Sequence, residues 1–351
     1  MQVQRPLIVE PDDAAIARAA ALLADGKLVG MPTETVYGLA CHAFNAAAAA
    51  AVFASKGRPS FDPLIVHVAS AGDAWQLLGH TGHSTDEING IGVAERLAEA
   101  FWPGALTMVL PKPAAVPGIV TAGLETVGVR VPSHSVARDL IAALAEQPTV
   151  KDRGLPGSIA APSANVFGGV SPSRAEHVTV DCAMVLDGGP CETGVESTVV
   201  RAMDDGTVAV LRLGGVSVEA LSEVVGERQV RVIAGQMNDD EAGKGLASPG
   251  TTLKHYAPQT PLRLVPDRAA LASALEAANG RGGVIGIRLD GVRAEAVEDL
   301  SPTGDMTEAA ANLFAAMHRL DAAGLDLIVA EAVPEIGLGR AINDRLRRAS
   351  R

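Results

Sequence analysis

Lys27-Leu28-Val29-Gly30-Met31-Pro32-Thr33-Glu34-Thr35 carries the reading of the fold. Lys27–Pro32 has the length and apolarity of a buried strand, and Thr33-Glu34-Thr35 is the polar turn it leads into. Upstream, Asp12 and Asp13 can cap a helix that runs to about Ala24, where Asp25-Gly26 ends it. Downstream, residues 46–55 form an Ala-rich helix that delivers Lys56-Gly57-Arg58-Pro59 at its C-terminal end, and Leu64–Val68 is a second short apolar strand. Further strands are expected at Leu106–Leu110, Thr126–Val131, Met184–Asp187, Ser197–Arg201 and Val208–Leu213, with helices at Val93–Phe101 and Ser135–Ala145. Strands and helices that mix without strict alternation predict an α/β domain built on a mixed sheet.

Around Arg231–Gly250 the pattern turns polar, acidic and Gly-rich, the composition of an interdomain linker. Beyond it, Leu262–Val265, a helix from Asp267, Val284–Arg288, a long helix after Asp305 and Leu327–Ala330 alternate regularly. That pattern reads as a small parallel α/β sheet closed by a helix from about Leu338. The expected organisation is a first domain over residues 1–230, a linker or lid over 231–260 and a second domain over 261–351. A length of 351 residues suits two domains better than one core.

Composition removes several classes. A hydrophobic fraction of 48% excludes a largely disordered chain. The net charge of −12 argues against an extended nucleic-acid surface, whose affinity would come from neutralised phosphates. It leaves room for a local basic pocket. Arg345–Arg351 is the one basic run, and it reads as the last turn of a C-terminal helix, where cations are favoured. Cys41, Cys182 and Cys191 make no CxxC pair, so neither a disulfide framework nor a structural zinc site is expected. The N-terminus has no basic stretch followed by an apolar core, and no apolar run is long enough to span a bilayer. The expectation is a cytoplasmic protein.

Two clusters stand out. Lys56-Gly57-Arg58-Pro59 sets two cations on a stiff turn, one a planar fork for phosphate or carboxylate and the other a mobile point charge. On spacing alone it reads as readily as a solvated helix end. Residues 158–169 (SIAAPSANVFGG) combine small residues with Ser163 and Asn165, which allows close backbone approach to a ligand, or simply a capped turn. Arg130 lies inside the apolar run Val127–Val131, where a charge must be paired or bound. His67 at a strand end reads more readily as a satisfied structural histidine. A Walker loop, HExxH and GxSxG are all missing from the sequence, so their chemistries are unsupported.

Taken in order, these pieces resemble the YrdC/Sua5 family. The match runs through PTETVYGL at 32–39, KGRP at 56–59, PLIVH at 63–67, WPG at 102–104, Leu106-Thr107, VGVRVP at 127–132, AAPSAN at 160–165, Glu196-Ser197-Thr198 and Leu211-Arg212. SPG at 248–250 followed by HYAP at 255–258 is similar to the linker of the longer, two-domain Sua5 type. The resemblance implies an α/β fold: a YrdC-like twisted mixed sheet with a basic concave pocket, plus a small Rossmann-like C-terminal domain. It implies an L-threonylcarbamoyladenylate synthase, a nucleotidyltransferase that joins L-threonine, bicarbonate and ATP, with Mg²⁺ held by the ATP phosphates. It further implies hand-off to a tRNA threonylcarbamoyl transferase complex, with tRNA contact at most indirect and no membrane. Under it, Lys56, Arg58, Ser163 and Asn165 are the catalytic set. Thr35, His67, Arg130, Ala161 and Ser197 would contact threonine, and Arg58, Asp62, Thr126, Ser163, Ser171, Arg212 and Tyr256 would line the ATP side.

Three departures accompany the resemblance. Asp62 stands where the family usually has Asn, Thr251–Lys254 replaces a more basic and aromatic linker segment, and Gln147–Gly157 is expected as an extended surface loop. Ser248–Pro258, stiffened by Pro and Gly, is expected to fold over the pocket. The competing readings are a double-stranded RNA-binding module and a carbamoyl transferase of the hydrogenase-maturation type.

Overall fold

The computed structural model describes residues 6–79, 89–152, 154–234, 255–277 and 280–351. The first part of the chain runs β1 (Ile8–Val9), α1 (Asp13–Ala24), β2 (Val29–Met31), β3 (Gly38–His42), α2 (Ala46–Lys56), β4 (Ile65–His67), α3 (Ala71–Leu77) and α4 (Asn89–Phe101). It continues β5 (Leu106–Pro111), β6 (Thr126–Arg130), α5 (Ser135–Ala145), α6 (Pro148–Lys151), β7 (Ile159–Ala160) and β8 (Met184–Leu186). β9 (Thr198–Ala202), β10 (Val208–Arg212), α7 (Val218–Val225) and β11 (Val230–Val232) complete it. After the linker come β12 (Leu262–Val265), α8 (Arg268–Glu276), β13 (Gly282–Gly286), β14 (Ala296–Asp299), α9 (Met306–Ala322), β15 (Leu327–Glu331) and α10 (Gly339–Ala349).

Local chemistry sets the elements that matter for the site. Asp12 caps α1 by accepting from Ala15 N at 2.7 Å, and Ile16, Ala19, Ala20 and Leu23 form its buried stripe against α5. Asn45 caps α2 through Ala47 N and Ala48 N, and Gly57 ends it in the left-handed region at φ 61°. That αL glycine turns the chain so that Lys56 and Arg58 both point inward; each is under 10% exposed.

The first sheet is mixed and has eleven strands among the described residues, in the order β1-β8-β2-β3-β7-β4-β6-β5-β9-β10-β11. β2–β3 and β9–β10 are antiparallel, whereas β4–β6 and β5–β9 are parallel. The second sheet, β12-β15-β13-β14, is parallel throughout. Its core is built on Leu313, Phe314 and Met317 of α9 and continues into Val36, Val170 and Val195 of the first part. The two parts therefore share apolar packing, and the shared patch lies beside the turn that follows β2.

Several stretches differ from their sequence reading. β3 is buried at every position, so no period-two alternation announces it. Residues 147–157 are not an extended loop: α6 forms inside them and fully buries Val150. β11 takes Arg231 and Val232 into the first sheet, beyond the expected boundary at residue 230. Residues 235–254, including the SPG motif and Thr251–Lys254, lie outside the described residues.

Candidate active site

The site gathers at strand ends in the middle of the large sheet. Thr33 stabilises the turn after β2 by donating to Val36 O at 2.6 Å and accepting from Val36 N at 3.2 Å. In the parallel register of β4 and β6, His67 pairs with Arg130, which brings both last residues to the same edge. Arg130 is 3% exposed and held on three sides. Its Nη2 lies 2.7 Å from Glu34 Oε1, Nη1 donates to Thr35 Oγ1 at 2.8 Å, and Nε donates to Gly104 O at 3.1 Å. Burial pushes His67 from 6.5 down to about 3, and the charge of Arg130 adds to the effect. The imidazole is neutral at physiological pH.

Arg58 and Lys56 occupy different layers. Arg58 donates from Nε to Asp62 O at 2.9 Å and from Nη2 to Pro63 O at 2.7 Å, and its Nη2 lies 2.8 Å from Asp62 Oδ1. Lys56 Nζ donates to the carbonyls of Ser163 and Asn165. Burial, and then the neighbouring Arg58, push the Lys56 pKa well down. Two carbonyl acceptors act in the other direction by favouring the ammonium. The same loop is tied from the front by Ala164 N to Tyr37 O and Leu39 N to Pro162 O, both at 2.8 Å. Lys56 is thus a pin beneath the loop that presents Ser163.

A third group lies at the start of β9 and the end of β10. Arg212 donates from Nη2 to Ser197 O at 2.9 Å and to Ser197 Oγ at 3.1 Å, and Ser197 Oγ meets Thr107 Oγ1 at 2.7 Å. Gly214 lies so close beneath this segment that a Cβ there would come within 2.3 Å of Glu196 O, which explains glycine at that turn. Glu196 accepts from Ser171 Oγ at 2.6 Å on one oxygen and from Arg345 Nε, on α10, at 2.9 Å on the other. Tyr256, fully buried, stands at φ 63°, a conformation that a bulky residue adopts only when its surroundings impose it.

These groups line one cavity that is partly open to solvent. Of the residues expected from sequence, Thr35, Arg58, His67, Arg130, Ala161, Ser163, Ser197, Arg212 and Tyr256 line it. Lys56, Asp62, Asn165 and Ser171 are buried just behind the lining. Thr126 lies apart: it opens β6 opposite Pro111, and four strand steps, about 13 Å, separate it from Arg130. Sequence reasoning passed over Glu34, Thr107, Glu196 and Arg345. Buried carboxylates and cations of this kind carry no motif of their own, and Glu34 and Glu196 were legible only as neighbours of Thr35 and Ser197.

The pocket carboxylates are already engaged, Glu34 by Arg130, Asp62 by Arg58 and Glu196 by Arg345. No group of three or more His, Cys, Asp or Glu side chains among the described residues could hold a metal.

Burial of neutral His67 gives a stability prediction. The unfolded chain binds a proton below about pH 6.5, whereas folded His67 resists protonation down to about 3, so stability falls as pH drops through that window. His255, pushed well down by burial and then by Arg58 and Lys56, adds to the same slope. Denaturant titrations at pH 6.5 and 5.5 should differ by roughly 1–3 kcal/mol. Equal midpoints would mean that these rings are hydrated in the folded state.

Residues 21–214 match a family model described as telomere recombination (Sua5, YciO and YrdC), and residues 216–351 match one described as threonylcarbamoyl-AMP synthase, C-terminal domain. The chain is 40% identical over 350 residues to the threonylcarbamoyl-AMP synthase of Bacillus subtilis (strain 168), covering 97% of this chain and 94% of that one. It is 38% identical over 342 residues to the threonylcarbamoyl-AMP synthase of Pyrococcus abyssi (strain GE5 / Orsay), covering 95% and 93%. The crystal structure of P. abyssi Sua5 complexed with L-threonine superposes with a TM-score of 0.81 at 36% identity, covering 98% of this chain and 96% of that one.

Proposed function

The chain belongs to the Sua5/YciO/YrdC family, and on that premise we propose that its cavity condenses L-threonine, bicarbonate and ATP into threonylcarbamoyl-AMP and pyrophosphate. The product is the activated donor for the threonylcarbamoyladenosine modification at position 37 of tRNA. The observation that carries the reading is the convergence of three guanidiniums, Arg58, Arg130 and Arg212, with neutral His67 on one cavity. Such a site suits two anionic partners better than one. The P. abyssi relative was crystallised with L-threonine, which supports the amino acid as one of them.

In this reading Arg130 and Thr35 take the threonine carboxylate, while Ala161, Ser197 and His67 close around the rest of the amino acid. Arg58, Ser163 and Arg212 face the phosphates, Ser171 lies behind them, and Tyr256 covers the nucleotide. The threonine amine attacks bicarbonate to give a carbamate and water. A carbamate oxygen then attacks the α-phosphorus of ATP, forming one P–O bond as the bond to the β-phosphate oxygen breaks and pyrophosphate leaves. A magnesium ion held by the ATP phosphates would offset part of their charge, while Arg58 and Arg212 offset more of it from the cavity wall. Fixed guanidiniums lower the cost of bringing two anions together because they need not reorient during the step. Holding carbamate and α-phosphate in line supplies much of the remaining acceleration. No covalent enzyme intermediate is required.

The cations face a buried cavity instead of forming an exposed stripe, which leaves the RNA-binding module without support. The second family model leaves the carbamoyl transferase reading without support too. The adenylate passes to a tRNA threonylcarbamoyl transferase complex, so that contact of this chain with tRNA is at most indirect. No helix among the described residues is long and apolar enough to cross a membrane. Mass spectrometry after incubation with ATP, Mg²⁺, L-threonine and bicarbonate should reveal threonylcarbamoyl-AMP, with pyrophosphate release that needs both threonine and bicarbonate. Release that ignores threonine, or no product after rapid quenching, would overturn the reading.

A further inference from the structure

We infer that Arg345, on the C-terminal helix α10, is a positioning residue for the nucleotide side of the cavity, fixing Glu196 and Tyr256 so that the second domain completes the active site of the first. The inference rests on the proposed function. Arg345 is the largest of the fully buried side chains, whereas Arg347 two residues on is exposed. Its Nε donates to Glu196 Oε2 at 2.9 Å, and Glu196 Oε1 accepts from Ser171 Oγ at 2.6 Å. Its Nη1 donates to Asp344 Oδ2 at 2.8 Å, and its Cζ lies 5.1 Å from the centroid of the Tyr256 ring. Tyr256 is backed on another side by Phe314 of α9, with ring centroids 5.6 Å apart.

One guanidinium thus reaches two residues of the cavity lining, Glu196 by hydrogen bond and Tyr256 through its ring. Glu196 relays the contact to Ser171, which is held behind the lining. An arginine suits both contacts, because its planar fork can bond a carboxylate while its delocalised charge lies over an aromatic ring. Stability alone does not account for the arrangement. Burying an ion pair costs desolvation, and well-packed apolar residues commonly hold a seam as well or better. A charged group kept in a buried interface fixes geometry, and the geometry fixed here is that of the strained Tyr256 backbone and of the Glu196 carboxylate with Ser171 behind it.

The alternative is that Arg345 merely ties the domains together. Asn343, also on α10 and 1% exposed, provides the control, since it bonds only Val333 N and Val333 O of its own domain at 3.0 and 2.7 Å. The experiment compares the full chain with Arg345→Lys and Asn343→Ala. It measures the KM for ATP and for threonine by pyrophosphate release, the thermal midpoint, and the calorimetric affinity for a non-hydrolysable ATP analogue. Arg345→Lys should raise the ATP KM and weaken the analogue by about tenfold or more, with the threonine KM within about twofold. Asn343→Ala should lower the thermal midpoint and leave the ATP KM unchanged.

An unchanged ATP KM in Arg345→Lys would overturn the inference. So would equal shifts for both substrates, or an activity loss that tracks the thermal midpoint as in Asn343→Ala. Wild-type protein that releases no threonine-dependent pyrophosphate would overturn the functional reading instead, and the analogue affinities would still decide the role of Arg345.

Discussion

Arg130→Met should lower threonine-dependent pyrophosphate release by about 10³-fold and destabilise the fold by roughly 3–5 kcal/mol. The two effects have separate origins. Activity falls because, in the proposed reading, Arg130 takes the threonine carboxylate, and because the bond from Arg130 to Thr35 is lost with it. Stability falls because Glu34, 4% exposed, is left as a buried carboxylate without its counter-ion. Burial on its own would raise the Glu34 pKa, yet the charge and hydrogen bond of Arg130 outweigh it and hold the net value below normal. Without Arg130 the upward push of burial is no longer outweighed by its charge and hydrogen bond, so the carboxyl should take up a proton more readily or drive the region open. Adding Glu34→Gln to Arg130→Met should therefore recover part of the denaturant midpoint and none of the turnover. Turnover and threonine KM within about threefold of wild type would show that Arg130 is a scaffold cation only.

Lys56→Met should lower turnover by roughly 10²–10³-fold, an effect that acts through Ser163 instead of through direct contact with phosphate. The ammonium is spent on two carbonyls behind the loop, and methionine fills a similar volume while offering no donor. Each carbonyl left without a partner costs about 1–3 kcal/mol, so the loop should shift or loosen. The ATP KM should rise together with a loss of thermal stability. Lys56→Arg should not rescue, because a planar guanidinium is too large for a site buried to 2% exposure. Full activity in Lys56→Met would mean that the loop holds its shape through its bonds to Tyr37 and Leu39 alone.

Much of this was legible in the sequence where one rule governs one element. Asp12, Asp267 and Asp305 cap their helices where the residue types announce it. The alternation from residue 262 onward delivers a parallel sheet, although β14 escaped because its residues AVED show neither a buried run nor a clean alternation. The residues of the cavity were legible because they cluster at strand ends in recognisable strings. Their division of labour was not. Lys56 and Arg58 look equivalent two residues apart, and only the αL turn at Gly57 and the loop at 163–165 decide that one is a pin and the other a wall. Asp62, which stands where the family usually has Asn, is spent on Arg58. Arg345 was hidden for a different reason. It lies 149 residues from Glu196, in a run whose obvious reading is a helix end favoured by its dipole.

The shared apolar patch has a consequence for how this chain could have arisen or be shortened. Val36, Val170 and Val195 belong to the first domain by sequence, yet they are buried against α9 and its neighbours. A catalytic half released by cutting at the polar linker would wet all three at once, beside the turn that carries Thr35. A free-standing version of that half would therefore carry three apolar side chains at its surface unless these positions were exchanged for residues that tolerate water, so the second domain serves the first as part of its solvent shield.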